Sequence, residues 1–199
     1  GIPSGLKRLD HLTNGWFPGL HVLAAGPGAG KTTLALQFAA HAAATGSPVL
    51  FVTYENSASN LVLKLLCARS SGSPNDVERG FGDMELLKHT IAENAPWLAR
   101  LSFIEGDSRL RSSAVEEQMR SLMGPHSQPG LIVFDYLQRA AHGLGYDQLR
   151  QNVSLLSGEL RDLSLRLNCA VIAISSQNRS SGDYGRGGTA QLDSLKESG

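Results

Sequence analysis

"AAGPGAGKTT", residues 24–33, is the stretch on which the reading of this chain turns. It follows an apolar run, "GLHVLAAG" (19–26), and leads into an Ala- and Leu-rich run, "TTLALQFAAHAAATG" (32–46), that closes on Gly46. A strand, a glycine-rich turn and a helix in that order form an anion cradle. The turn aims backbone N–H groups inward, and the helix start adds its positive dipole end. The residues fit the P-loop pattern G-x-x-x-x-G-K-[ST], except that Ala25 stands at the first glycine. Gly26, Pro27, Gly28, Ala29 and Gly30 would wrap the phosphates of ATP, and Lys31 would reach the β- and γ-phosphates. The Thr32 hydroxyl would sit on Mg²⁺, with Thr33 beside it. A glycine-rich turn with a chance Lys-Thr is the plainer reading, and the flanking strand and helix count against it.

Outward from the P-loop, the pattern repeats. "PVLFVTY" (48–54) reads as a second strand, and "SNLVLKLLCARSSG" (59–72) as a helix with Ser59 as its cap. "SPNDVERGFG" reads as a loop, "DMELLKHTIAENA" as a short helix, and "RLSFIEG" (100–106) as a strand. "SAVEEQMRSLM" (113–123) is a polar helix and "GPHSQPG" a turn. A strand "LIVFDYL" (131–137), a long amphipathic helix (147–168) and a strand "CAVIAIS" (169–175) complete the series. The Gly- and Ser-rich "SSGDYGRGGT" from 180 reads as a mobile loop. Continuously apolar strands alternating with helices predict an α/β fold, a mostly parallel sheet covered on both faces. Such sheets bind ligands at the carboxyl ends of their strands.

Composition narrows the class. The chain has 199 residues, 41% of them hydrophobic, with no apolar run near the roughly 20 residues that a membrane span needs. Two widely separated cysteines and six scattered histidines show no metal-ligand spacing, and a reducing, cytoplasmic compartment is the default. The formal net charge is zero, which speaks against a dedicated duplex-DNA binder but not against a protein gripping single strands through a few loops.

Hydrolysis at a P-loop needs more than lysine and metal. Asp135 ends the strand "LIVFD", where a P-loop ATPase places the carboxylate behind its metal. A further group must polarise water in line with the γ-phosphate. No acid follows Asp135, since Tyr136 comes next, so Glu55 at the end of "PVLFVTY" is the remaining acid in position. An acid easing the chain into the next helix is the plainer reading of Glu55. Ser175, Ser176 and Gln177 stand where the strand "CAVIAIS" exits, and a polar group there would sense the γ-phosphate and relay its loss to the following loop.

With "AGPGAGKTTLALQFA", "PVLFVTYENS", "LIVFDYLQ", "LNCAVIAISSQNRS" and "LDSLKESG" in this order, the chain resembles the ATPase domain of DnaB-type replicative helicases, in the RecA-like superfamily. The likeness is good over 1–68 and 130–199 and thin between. It implies a RecA-like P-loop fold in which Lys31 and Thr32 hold phosphate and metal, Glu55 is the catalytic base and Asp135 the Walker B acid. The family's strand-end glutamine aligns with Ser176, leaving Gln177 one place late, so either Ser176 or Gln177 is the sensor. The family's Arg-Glu-Ser-Gly stretch touches the single-strand backbone inside the ring; here it is Lys196, Glu197, Ser198 and Gly199. Lysine supplies the charge without the bidentate fork of arginine. Arg186, in "GDYGRGGT", is a further candidate for a backbone contact.

The expectation is one RecA-like ATPase domain over 1–199, lacking an N-terminal domain and its C-terminal strands. Its partners would be single-stranded DNA, further copies of itself in a hexameric ring, and a primase or loader, with no membrane. A recombinase- or clock-type ATPase without unwinding activity, or a helicase-associated adaptor, is the alternative.

Overall fold

The computed structural model describes residues 1–124, 128–141 and 149–176. In chain order its elements are α1 (Lys7–Thr13), β1 (Gly19–Ala25), α2 (Lys31–Ala44), β2 (Val49–Thr53), α3 (Ala58–Ser70), α4 (Pro74–Glu78), α5 (Met84–Leu98), β3 (Leu101–Glu105), α6 (Ser112–Met123), β4 (Leu131–Asp135), α7 (Leu137–Ala141), α8 (Leu149–Leu167) and β5 (Ala170–Ser176).

Strands β2 and β4 are apolar at every position but the last and buried at every position. Successive side chains of a strand point to opposite faces, so such a segment needs cover on both sides. The burial follows that alternation. Val49 and Phe51, Leu131 and Val133, and Ala170, Ile172 and Ile174 share one core. Leu50 and Val52, Ile132 and Phe134, and Val171 and Ala173 share the other. All strand pairs are parallel, in the order β1-β5-β4-β2-β3. Every carboxyl end therefore reaches the same edge of the sheet.

Helices α2, α3 and α5 cover the first face, and α6, α7 and α8 the second. In α2 the residues turned inward are mostly alanines (35, 39, 40, 42 and 43), whose small side chains let the helix axis lie close to the sheet. Phe38 fills the remaining space and meets Trp16 edge-on at 5.2 Å. Trp16 in turn pairs with Ile2 through backbone hydrogen bonds of 2.8 Å, which ties the first residues to the domain. Leu160 of α8 is fully buried in the second core; truncating it to alanine would cost about 2–5 kcal/mol.

Four local expectations need correction. Ser57 caps α3, its Oγ accepting from the Asn60 N–H at 3.2 Å, whereas Ser59 lies inside the helix. The loop expected at 73–82 contains α4, started by Ser73 as cap and Pro74 in the first turn. Helix α5 runs on past residue 95 to Leu98, with Pro96 inside it. Strand β4 ends at Asp135, and Leu137 belongs to α7, which turns that apolar side chain into the second core.

Candidate nucleotide site

The P-loop is built as its glycines require. Gly28 and Gly30 have φ values of 73° and 82°, a left-handed conformation that other residues adopt only with strain. A Cβ added at either would meet nothing within 4 Å, so conformation, not crowding, asks for glycine there. Gly30 is also the N-cap of α2, so Lys31 is the first helical residue and Thr32 the second. The Lys31 ammonium donates to the Ala25 carbonyl at 2.8 Å and to the Gly26 carbonyl at 2.7 Å. Thr32 Oγ1 donates to Asp135 Oδ2 at 2.8 Å, joining residues 103 apart in sequence.

Asp135 is 3% exposed. Among the described residues, the hydrogen-bond partner of its carboxylate is the neutral Thr32 hydroxyl. Burial pushes its carboxyl above the usual aspartate range; the Thr32 bond and the Lys31 and Lys64 charges pull the other way, and Glu55 adds to the rise. Burial likewise lowers the Lys31 ammonium, against the opposing pull of Asp135 and Glu55. Two opposite charges held in a partly dehydrated place with few partners suit a ligand that brings both anion and cation.

Glu55 sits in a short turn after β2. Thr53 Oγ1 donates to the Asn56 carbonyl at 2.9 Å and accepts from the Asn56 N–H at 3.2 Å, closing that turn. The Tyr54 N–H donates to the Asp135 carbonyl at 2.8 Å, which fixes the turn to the end of β4. Glu105, another strand-end acid, accepts from the Ala58 N–H at 2.8 Å and so serves the start of α3. The Glu55 carboxylate is about half-exposed and has Arg139 Nε 3.8 Å away.

These groups share an open cavity of about 520 Å³. Its wall includes Pro27, Gly28, Gly30, Lys31, Thr32, Thr33, Glu55, Asp135 and Ser176 among the residues expected from sequence, with Tyr136 and Ile174 added. Gly26 contributes through its carbonyl on Lys31, and Ala29 through an N–H donated to that same carbonyl at 3.4 Å. Gln177, Arg186, Lys196, Glu197, Ser198 and Gly199 lie outside the described residues.

Three further residues were missed in the sequence. Tyr136 lines the cavity, Arg139 faces Glu55, and Gln138 bonds the end of β5. The signal for Gln138 was a polar side chain three places after Asp135 within an apolar stretch.

The model of the DnaB-like helicase C-terminal domain matches residues 1–199. The chain belongs to that family. It is 33% identical over 184 residues to the replicative DNA helicase DnaB of Geobacillus stearothermophilus, covering 90% of this chain and 40% of that protein. It is 31% identical over 183 residues to the DnaB of Leifsonia xyli subsp. xyli, covering 90% and 39%. The chain thus spans about two-fifths of the length of these DnaB relatives. Two solved structures share the fold. One is an isolated ATPase domain (TM-score 0.83, 21% identity, 100% of this chain and 71% of that one). The other is a DnaB-like replicative helicase described with its primase interactions (TM-score 0.82, 21% identity, 100% and 49%). The sheet is that of the RecA-like ATPase domain of DnaB-like helicases, and the DnaB family implies nucleotide use. Among the described residues, no helix is long and apolar enough to cross a membrane.

Proposed function

We propose that this chain is the ATPase module of a ring-forming replicative helicase that couples Mg-ATP hydrolysis to movement along single-stranded DNA. One observation carries the reading beyond the family: groups from four strand ends converge on one cavity, Lys31 and Thr32 after β1, Glu55 after β2, Asp135 on β4 and Ser176 on β5. The inward-turned P-loop and Lys31 would hold the β- and γ-phosphates. Thr32 and Asp135 would hold Mg²⁺, which supplies charge stabilisation on the phosphate oxygens. Glu55 would orient water and take its proton, and Ser176 would report the γ-phosphate, a role for which Gln177 is the other candidate.

Lys196, Glu197 and Gly199, with Arg186, are the proposed contacts to the single-strand backbone. The proposed partners are further copies of the chain, in a hexamer, and a primase or loader. The test is ATP turnover by the full-length protein with and without single-stranded DNA. Turnover stimulated by DNA is expected; turnover indifferent to DNA overturns the helicase reading, and DNA binding without turnover favours an adaptor.

A further inference from the structure

Strand β5 outruns its neighbour. Its register with β4 covers Leu131↔Ala170 to Phe134↔Ala173, while β5 itself continues to Ser176. On the opposite side β1 follows it the whole way, to Ala25↔Ser176. The open flank is closed by a side chain. Gln138 Oε1 accepts from the Ser176 N–H at 3.2 Å, and Gln138 Nε2 donates to the Ser176 carbonyl at 3.1 Å. A carboxamide presents the same acceptor and donor as a peptide group, so this pair extends the ladder by one residue beyond the end of β4. Nε2 also donates to Ser175 Oγ at 2.8 Å, in a bond buried from water. Gln138 is 5% exposed.

We infer that Gln138 is a positioning residue. It locks Ser176, in the wall of the phosphate cavity, to the turn that directly follows the metal-side acid Asp135. Ser176 is then flanked by the last residue of β1, Ala25, and by α7. A γ-phosphate that displaces the end of β5 must also displace α7, so the response to ATP runs into the body of the domain as well as into the segment after Ser176. Without Gln138, Ser176 keeps only its β1 flank and no longer holds a defined distance from Asp135.

The inference rests on the ATPase reading. The test is the ratio of affinities for ADP and a non-hydrolysable ATP analogue, measured by fluorescence titration of the full-length protein with Mg²⁺. Gln138→Met keeps the volume and removes every bond of the amide. It is expected to leave ADP affinity within about threefold and to reduce preference for the ATP analogue about tenfold, the equivalent of one or two neutral hydrogen bonds. Gln138→Asn keeps the amide on a shorter stem and should recover part of the preference. Ser175→Ala removes one bond, leaves the Ser176 pair intact, and should stay near wild type.

Equal losses for both nucleotides, an unchanged ratio in Gln138→Met, or a Ser175→Ala defect as large as that of Gln138→Met would each overturn the assignment. A wild-type protein that binds neither nucleotide overturns the ATPase reading itself. If Gln138→Met fails to fold, the amide proton of Ser176 decides the matter in the wild type: exchange slowed by the ATP analogue and not by ADP supports the lock, and equal exchange overturns it.

Discussion

Glu55 and Asp135 are both acids at strand ends, yet their surroundings assign them different work. Asp135 is buried and bonded to Thr32, while Glu55 is half-exposed at the cavity rim with Arg139 nearby. Replacing Glu55 with glutamine keeps the shape and removes the proton acceptor. Turnover is expected to fall by about 10²–10⁴-fold with nucleotide binding retained; near-normal turnover in a steady-state assay would return Glu55 to the role of a helix-entry acid. Asp135→Asn should do something less intuitive. Because burial raises its folded pKa above that of the unfolded chain, Asp135 contributes stability that is present in acid and is lost as pH rises through the folded value. Asparagine removes that loss while its Oδ1 can still accept from Thr32. At pH 8 without nucleotide, Asp135→Asn should melt a few degrees above wild type, and Mg-ATP should no longer raise its Tm. Scanning calorimetry at pH 5 and pH 8 checks both: the gap should narrow at pH 5, and a variant less stable than wild type at pH 8 would contradict the sign.

At the scale of elements, the turn between β2 and α3 matters more than either acid alone. Thr53 is 1% exposed, and its hydroxyl closes the turn on Asn56, one residue beyond Glu55. Thr53→Val preserves shape and removes both bonds. The expectation is a fall in kcat with KM for ATP little changed, because the phosphate cradle lies on another loop. A matched rise in KM would show the turn supporting nucleotide binding instead. The parallel sheet and the strand-end placement of Glu55 and Asp135 were legible in the sequence, because apolar runs of strand length alternate there with helical ones. The work of α7 was not. "LIVFDYL" reads as one apolar strand, and nothing local says that Leu137 reaches the core from a helical turn. That turn carries Gln138 to β5 and Arg139 to Glu55. Ser57 was passed over for Ser59 for a similar reason: both precede the same apolar pattern, and only the bond from Thr53 to Asn56 decides where the helix begins.

For the molecule as a whole, the two cores make a cooperative unit whose opening can be followed from inside. Cys169 is fully buried in the second core, and burial pushes its thiol up to about 12. An unfolded cysteine ionises near about 8.5, so folding free energy contributed by this thiol is complete below that value and is lost as pH rises towards 12. In a Cys67→Ser background, maleimide labelling of Cys169 at pH 8 should be slow and should follow global unfolding in urea. Fast labelling without denaturant would mean that β5 opens locally. The neutral overall charge sets a second whole-molecule feature. A ring made of such chains has no long-range pull on DNA, so attraction to the strand must come from charges gathered on one surface.

The bonds from Lys31 to the Ala25 and Gly26 carbonyls also bear on which anions the loop can capture. A ligand that recruits this ammonium must first break two hydrogen bonds that the loop makes with itself. A single inorganic phosphate, engaging one part of the cradle, gains too little to drive that exchange. A nucleotide triphosphate, engaging several N–H groups and a metal together, gains enough. The lysine thereby acts as a threshold, letting the domain stand in the millimolar phosphate of a cell without being inhibited by it.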